Sequence, residues 1–254
     1  MKKILKYSLI ILTVTLSSCE KWLDIKPSDR LTEEMVFSDK AGFLKALNGV
    51  YVELTTPVLY GQNLSAGILD VMAQYYNAAT SSTYAFYYYQ KYTYTNASVK
   101  STFDQIWQKS YQLIGNCNTI IEKCGSSNEV LPAQYFGIIK GEALALRAML
   151  HLDLLRLFGP IYSAGSTTPA IPYMTAQDYE IQPLLSSEKV CENIIKDLTD
   201  ALALLADTDP VITEGVKNFA NTTGDNSLNY RQYRLNYYAV KALLARTYLW
   251  MGDK

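Results

Sequence analysis

Apolar side chains return every third or fourth position over several long stretches of this chain, the spacing that lines one face of an α-helix. The first stretch holds Phe43, Leu44, Leu47, Val50, Tyr51 and Leu54, with Ser38 placed before it as an N-cap and Pro57 placed to stop it. The second starts at Thr102 and runs through Phe103, Ile106, Trp107, Ser110, Tyr111, Ile114, Cys117 and Ile121. Gly125-Ser126-Ser127-Asn128 breaks it. The third opens near Pro132, a residue that a first helical turn tolerates, and continues rich in Ala and Leu to Phe158, ahead of Gly159-Pro160. The fourth begins near Ser187, turns Val190, Ile194, Leu198, Leu202 and Leu205 inward, and closes at Asp209-Pro210. The fifth covers about residues 235–251, with Ala239, Ala242, Leu243, Arg246 and Leu249 along one face. A short turn joins the second and third, which predicts an αα-hairpin, the unit of helical repeat proteins. The expected fold class is mostly α.

The stretches between are of a different kind. Over residues 61–101 the helical period fades and Asn, Ser, Thr, Gly and Tyr dominate, which predicts a long loop with short strands at most. Residues 159–186 hold Pro160, Pro169, Pro172 and Pro183 and exceed the usual length of a connection, the mark of a functional loop or of packed irregular structure. Residues 211–230 read as an exposed loop.

The N-terminus carries an address. Lys2, Lys3 and Lys6 make a positive opening, and residues 7–16 are an apolar run of about ten. That run is too short for a hydrocarbon core, which needs roughly 20 helical residues. Leu16-Ser17-Ser18-Cys19 follows and looks like a bacterial lipobox. Residues 1–18 are thus expected to be a signal peptide, Cys19 the lipid attachment site, and residues 19–30 a lipidated tether. The other reading of the same residues is a plain signal peptide with an incidental cysteine.

Composition narrows the functional classes. Apolar residues make up 49% of the chain, enough for a substantial core, and a formal net charge of −1 with a pI near 5.9 attracts no polyanion, so nucleic acid is a poor partner. Cys117 and Cys124 lie seven apart in a helical pattern, about 10.5 Å of rise, too far for a disulfide. They read as buried small hydrophobes. The one histidine, His151, cannot build a metal centre alone and reads as a packed helix residue. Gly-rich phosphate loops, His-Glu-x-x-His and Gly-x-Ser-x-Gly are missing from the sequence, and no catalytic, metal or cofactor residue is assigned. Glu142, Arg147 and Arg246 read as structural ion pairs between helices rather than as a charged centre.

Tyrosine is the outlier, at 21 residues against 7 Phe and 3 Trp. Each offers a flat apolar face and a hydroxyl. Sugar rings present apolar C–H faces and polar edges, so aromatic platforms stack on the first while Asn and Gln bond the second. Tyr75, Tyr76, Asn77, Tyr84, Tyr87 and Gln90 are therefore the candidate ligand-binding residues, against the plainer reading that most of these tyrosines are packed.

Several segments, in order along the chain, resemble the SusD/RagB family of nutrient-uptake outer-membrane lipoproteins. Cys19 with Leu23-Asp24-Ile25-Lys26-Pro27 is similar to the family's opening, and Ala46-Leu47-Asn48-Gly49-Val50-Tyr51 to its Ala-x-x-Gly-x-Tyr helix. Gly141-Glu142-Ala143-Leu144-Ala145-Leu146-Arg147-Ala148, with Leu157-Phe158-Gly159-Pro160, resembles the Gly-Glu-Ala-x-x-x-Arg-Ala segment. Asp197-Leu198 with Ala201, and Ala242-Leu243-Leu244-Ala245-Arg246-Thr247-Tyr248-Leu249, resemble two later helices. The resemblance implies tetratricopeptide-like helix pairs, a lipid-anchored place on the outer membrane, and a TonB-dependent, SusC-like barrel transporter as partner. It implies capture of oligosaccharides or polysaccharides, sometimes peptides, without catalysis. It also implies that residues 31–254 are the N-terminal helical domain of a protein about twice as long. The rival readings are a helical scaffold that binds no small ligand and, more remotely, a secreted glycoside hydrolase.

Overall fold

The computed structural model describes residues 32–76, 80–177, 180–220, 222 and 224–252. The expected signal peptide, Cys19 and the tether lie outside the described residues, as does Asn77. Two compact units divide at Val36/Phe37. Of the first, the structure describes a four-residue helix, α1 (Glu33–Val36).

The second unit is built from five long helices: α2 (Lys40–Leu54), α5 (Ala97–Cys124), α6 (Ala133–Phe158), α8 (Ser187–Ala206) and α10 (Tyr237–Met251). Short helices lie between them: α3 (Ile68–Met72), α4 (Tyr87–Gln90), α7 (Tyr162–Gly165) and α9 (Pro210–Thr213). Strands β1 (Pro169–Ile171) and β2 (Leu185–Ser186) form an antiparallel pair, Pro169 opposite Ser186 and Ile171 opposite Leu185. The fold is mostly α, as the periodicity predicts, and its helices pack as pairs: α5 with α6, α6 with α8, α8 with α10, and α2 against α5 and α6. Facing residues run in opposite directions along α5 and α6, from Asn118–Arg147 to Trp107–Phe158, so that pair is the expected αα-hairpin.

Helix ends moved where a better cap was available. Asp39, not Ser38, caps α2: its backbone is extended and its carboxylate accepts from the Gly42 N–H at 2.7 Å. α5 begins five residues before Thr102, because Asn96 accepts from the Ser98 N–H at 3.0 Å and Val99 is already buried. Pro132 is the N-cap of α6 rather than part of its first turn. α8 ends at Ala206, and Asp209 opens the separate helix α9 instead of closing α8. Gly125 ends α5 with a φ of 60°, which glycine adopts without strain.

Three further expectations are corrected. No strand forms among the described residues of 61–101; α3 and α4 form instead. Leu202 of α8 is only half-buried, while Val190, Ile194, Leu198 and Leu205 are fully buried. The inward face of α10 is Val240, Leu243 and Thr247, whereas Ala242 is exposed and Leu249 is 66% exposed.

Glycine sets the distance between α6 and α8. A Cβ at Gly137 would lie 2.5 Å from the Thr208 side chain and 2.9 Å from the Leu204 carbonyl oxygen. One at Gly141 would lie 2.9 Å from Leu205 Cγ and 3.3 Å from the Ala201 oxygen. At Gly49, on the outside of α2, nothing lies within 4 Å. The two substitutions should therefore have opposite signs. Gly49→Ala gains helix propensity, about 0.5–1 kcal/mol. Gly137→Ala gains the same but forces the helices apart, for a net loss of about 1–2 kcal/mol. Urea midpoints of the two variants check this, and a stabilised Gly137→Ala would mean that the helices can separate freely.

Candidate functional site

Most of the polar chemistry begins on α6, which carries Glu142, Arg147, His151 and Asp153 at buried positions. The Arg147 guanidinium binds Asp197 of α8 twice, Nε to Oδ2 at 2.7 Å and Nη2 to Oδ1 at 2.6 Å. It also donates to Asn118 Oδ1 of α5 at 2.8 Å. The Tyr173 hydroxyl donates to the same Asp197 at 2.6 Å, and Asn118 Nδ2 donates to the Met174 and Ala176 carbonyls. A second buried cluster joins α2, α6 and the chain leading into α10. The Tyr51 hydroxyl donates to Glu142 at 2.5 Å, Arg231 bonds Glu142, and Arg231 Nε and Nη2 reach Asp209 at 3.0 and 2.8 Å. Asp209 in turn accepts from the Tyr237 and Val211 N–H groups. Every carboxylate in these clusters has a cation and further donors, which gives them a structural role. Burial, then the adjoining carboxylate, holds the Tyr51 and Tyr173 hydroxyls well above their ordinary pKa, so both remain donors.

His151 belongs to the first cluster. It is fully buried and stacked on Tyr173, with ring centroids 3.8 Å apart. The Met174 N–H donates to Nε2 at 3.1 Å, so Nδ1 carries the proton and donates to the Arg147 carbonyl at 2.9 Å. Burial lowers its pKa to about 3. Cys117, Cys124 and Cys191 are buried and free, and burial pushes their thiols up to about 12, 12 and 11. No group of three or more His, Cys, Asp or Glu among the described residues is placed to hold a metal ion, and none of the described helices is long and apolar enough to cross a membrane.

The Tyr-rich segment is pinned to the helices from below. Ile68 and Val71 of α3 are buried, as is Tyr89 of α4, whose hydroxyl lies 2.7 Å from Thr102 Oγ1 on α5. The two halves of the segment are stitched together. Gln74 Nε2 donates to the Gln90 carbonyl at 3.1 Å and to the Tyr92 hydroxyl at 3.3 Å, and that hydroxyl donates to the Met72 carbonyl at 2.6 Å. Gln74 and Tyr92 both have positive φ, 61° and 53°, a costly conformation for residues with a Cβ. These bonds hold it in place.

Of the sequence candidates, Tyr75 and Tyr76 stand outward on this support, 77% and 56% exposed. Tyr84 is also exposed, with its ring edge-on to Phe86. Tyr87 is half-buried against Tyr88, and Gln90 is half-buried and serves the stitch through its carbonyl. The candidates therefore divide into outward rings and supporting residues. Tyr94, which closes the same Tyr-rich segment but is not among the named candidates, is exposed and edge-on to Phe103. Tyr94 joins Met72, Lys100, Phe103, Arg156 and Phe158 around a cleft of about 390 Å³. The cleft gathers residues from the Tyr-rich segment, α5 and the end of α6, a meeting that no local pattern announces.

Because the folded-state pKa of His151 lies below its ordinary 6.5, the stabilisation from keeping it neutral is full above about pH 6.5 and is lost as pH falls toward 3. The group contributes up to about 1.4 kcal/mol of destabilisation per pH unit in that window. His151 gives the only imidazole signal of the chain, so NMR can follow it directly. Its shifts should stay those of the neutral Nδ1–H tautomer from pH 8 to 5. A midpoint near 6.5 in the folded protein would contradict the buried geometry.

Comparison with known proteins agrees with this architecture. The SusD-like family described as starch-binding and associating with the outer membrane matches residues 21–249. The SusD-like protein P2 of Formosa agariphila is 27% identical over 207 residues, 80% of this chain and 38% of that protein. A putative sugar binding protein from Bacteroides vulgatus has the same fold at 22% identity and a TM-score of 0.62, over 84% of this chain and 43% of that one. A SusD homolog from Bacteroides thetaiotaomicron superposes with a TM-score of 0.61 at 22% identity, over 86% of this chain and 38% of that one. This chain thus spans about two fifths of the length of these relatives. With the family's pattern covering nearly all of the chain and its helix pairs present in order, the chain belongs to the SusD/RagB family.

Proposed function

We propose that the chain is part of a cell-surface lipoprotein, acylated at Cys19, that captures oligosaccharides and delivers them to a TonB-dependent, SusC-like transporter in the outer membrane. One observation carries the reading: exposed tyrosine rings, Tyr75 and Tyr76 foremost, stand on a segment that hydrogen bonds and a buried tyrosine hold in place. A ring held still before its ligand arrives loses little entropy on stacking. The hydroxyls and neighbouring amides supply the polar contacts that sugar edges require. The family's description, starch-binding and associating with the outer membrane, supports the ligand class and the location. The role is binding without turnover.

Calorimetry with the full chain in detergent, using maltoheptaose and a panel of other oligosaccharides, tests the capture. Saturable binding to one sugar class is expected, weakened about fivefold to tenfold, ~1 kcal/mol, by Tyr75→Ala or Tyr76→Ala. Absence of binding by the folded protein across the panel would move the weight to peptide capture or scaffolding. The anchor has its own check. Labelled palmitate should enter the protein expressed in a Gram-negative host, and Cys19→Ala should abolish the label; label retained in that variant would place the lipid elsewhere.

A further inference from the structure

Beside the 390 Å³ cleft lies a smaller one of about 190 Å³, lined by Tyr60, Asp153, Arg156, Arg246 and Trp250 among others. Arg156 and Leu157 line both. The smaller cleft has more hydrogen-bond donors than acceptors. Arg246 Nη2 lies 2.8 Å from Asp153 Oδ1, and Arg156 Nη1 lies 3.4 Å from the same oxygen. The other Asp153 oxygen accepts from the Tyr60 hydroxyl. Both Asp153 oxygens are therefore engaged, and the two guanidinium groups, each with five N–H donors, share only Oδ1. The two arginine side chains are 40% and 46% exposed, so their remaining donors are open to a ligand. The indole N–H of Trp250 is buried and has no acceptor among the described residues. Arg156 also sits over the Trp250 ring, 5.8 Å from its centroid.

We propose that this cleft is a subsite for the anionic group of an acidic sugar residue, a ring carboxylate or a sulfate ester. The proposal rests on the glycan reading above and narrows its substrate class. The geometry favours an anion over a neutral hydroxyl for two reasons. The lining carries one more cation than carboxylate, although the chain as a whole has a formal net charge of −1. Guanidinium forks also match the planar two-oxygen face of a carboxylate and the oxygens of a sulfate. The volume is below the roughly 300 Å³ at which whole ligand pockets begin. The cleft therefore suits one substituent of a longer chain, whose neighbouring rings would lie along Phe103, Phe158 and Tyr94 in the larger cleft.

Calorimetry on the full chain in detergent tests it with matched probes. These are an oligogalacturonate and its methyl ester, and a sulfated dextran oligosaccharide and the parent dextran oligosaccharide. At least one charged probe is expected to bind about tenfold or more tightly than its neutral match, and the better one identifies the anion. Arg246→Gln should remove most of that preference while leaving binding of the neutral probes unchanged, and Arg156→Gln, at a residue that also lines the larger cleft, should narrow the gap between charged and neutral probes. Added salt should erode the charged preference and spare neutral binding. Equal affinity for charged and neutral probes, or a preference that survives both arginine variants, overturns the subsite and leaves the glycan reading standing. If none of these probes binds, while maltoheptaose does, the subsite is likewise overturned. Failure of every sugar overturns both readings.

Discussion

The structure depends on one condition: α6 is enclosed on nearly every side, with 17 of its 26 residues buried, and it nevertheless carries Glu142, Arg147, His151 and Asp153 inward. A buried charge without a partner costs several kcal/mol, so each of these groups must find one. The partners come from different parts of the chain. Arg147 takes Asp197 from α8 and Asn118 from α5. Glu142 takes Tyr51 from α2 and Arg231 from the approach to α10. Asp153 takes Tyr60 from the turn after α2 and Arg246 from α10. One helix therefore fixes the relative placement of the other long helices by directional bonds as well as by apolar contact.

The two proposed recognition surfaces inherit that rigidity in unequal measure. The small cleft is part of the α6 network, since Asp153 belongs to both, and its two arginines are aimed by a carboxylate that is itself held. The Tyr-rich segment is fastened differently, through Tyr89 to α5 and through the Gln74–Tyr92 stitch to itself. Its outward rings can therefore change without loss of a core contact, whereas a change at Asp153 disturbs α6, α10 and Tyr60 together.

Single-sequence reading recovers what periodicity encodes. Phe43, Leu47, Val50 and Leu54 repeat with the helix and are all buried. It slips where the period is carried by weak hydrophobes. On α10 the expected stripe of Ala239, Ala242, Leu243, Arg246 and Leu249 holds only at Leu243, because alanine is tolerated outside and the larger Val240 decides with Leu243 which face turns inward. The early start of α5 was hidden because Ser98, Lys100 and Ser101 lie on its exposed side. Arg231 carried no signal, since a charge in a polar stretch reads as solvated, and only the fold sets it between Glu142 and Asp209. The exposed pair Tyr75 and Tyr76 was legible from composition. The clefts were not, because residues 60, 94, 103, 156 and 246 are brought together only by helix packing.

The buried pairs matter more for position than for stability. An apolar cluster of equal volume is often as stable as a buried ion pair, or more so. What such a cluster lacks is direction. The stretch after β1 has little apolar periodicity to anchor it, and Asn118 and His151 hold it by bonds to backbone atoms of residues 174 and 176. The stretch before α10 is held in the same way, by Asp209 on the Val211 and Tyr237 N–H groups and by Arg231 on Glu142. A slip of one residue in either stretch would leave several buried donors and acceptors unmet at once, each costing about 1–3 kcal/mol, whereas apolar contacts would tolerate it. Polar groups on a buried helix thus do for the irregular segments what hydrophobic spacing does for the helices: they set the register.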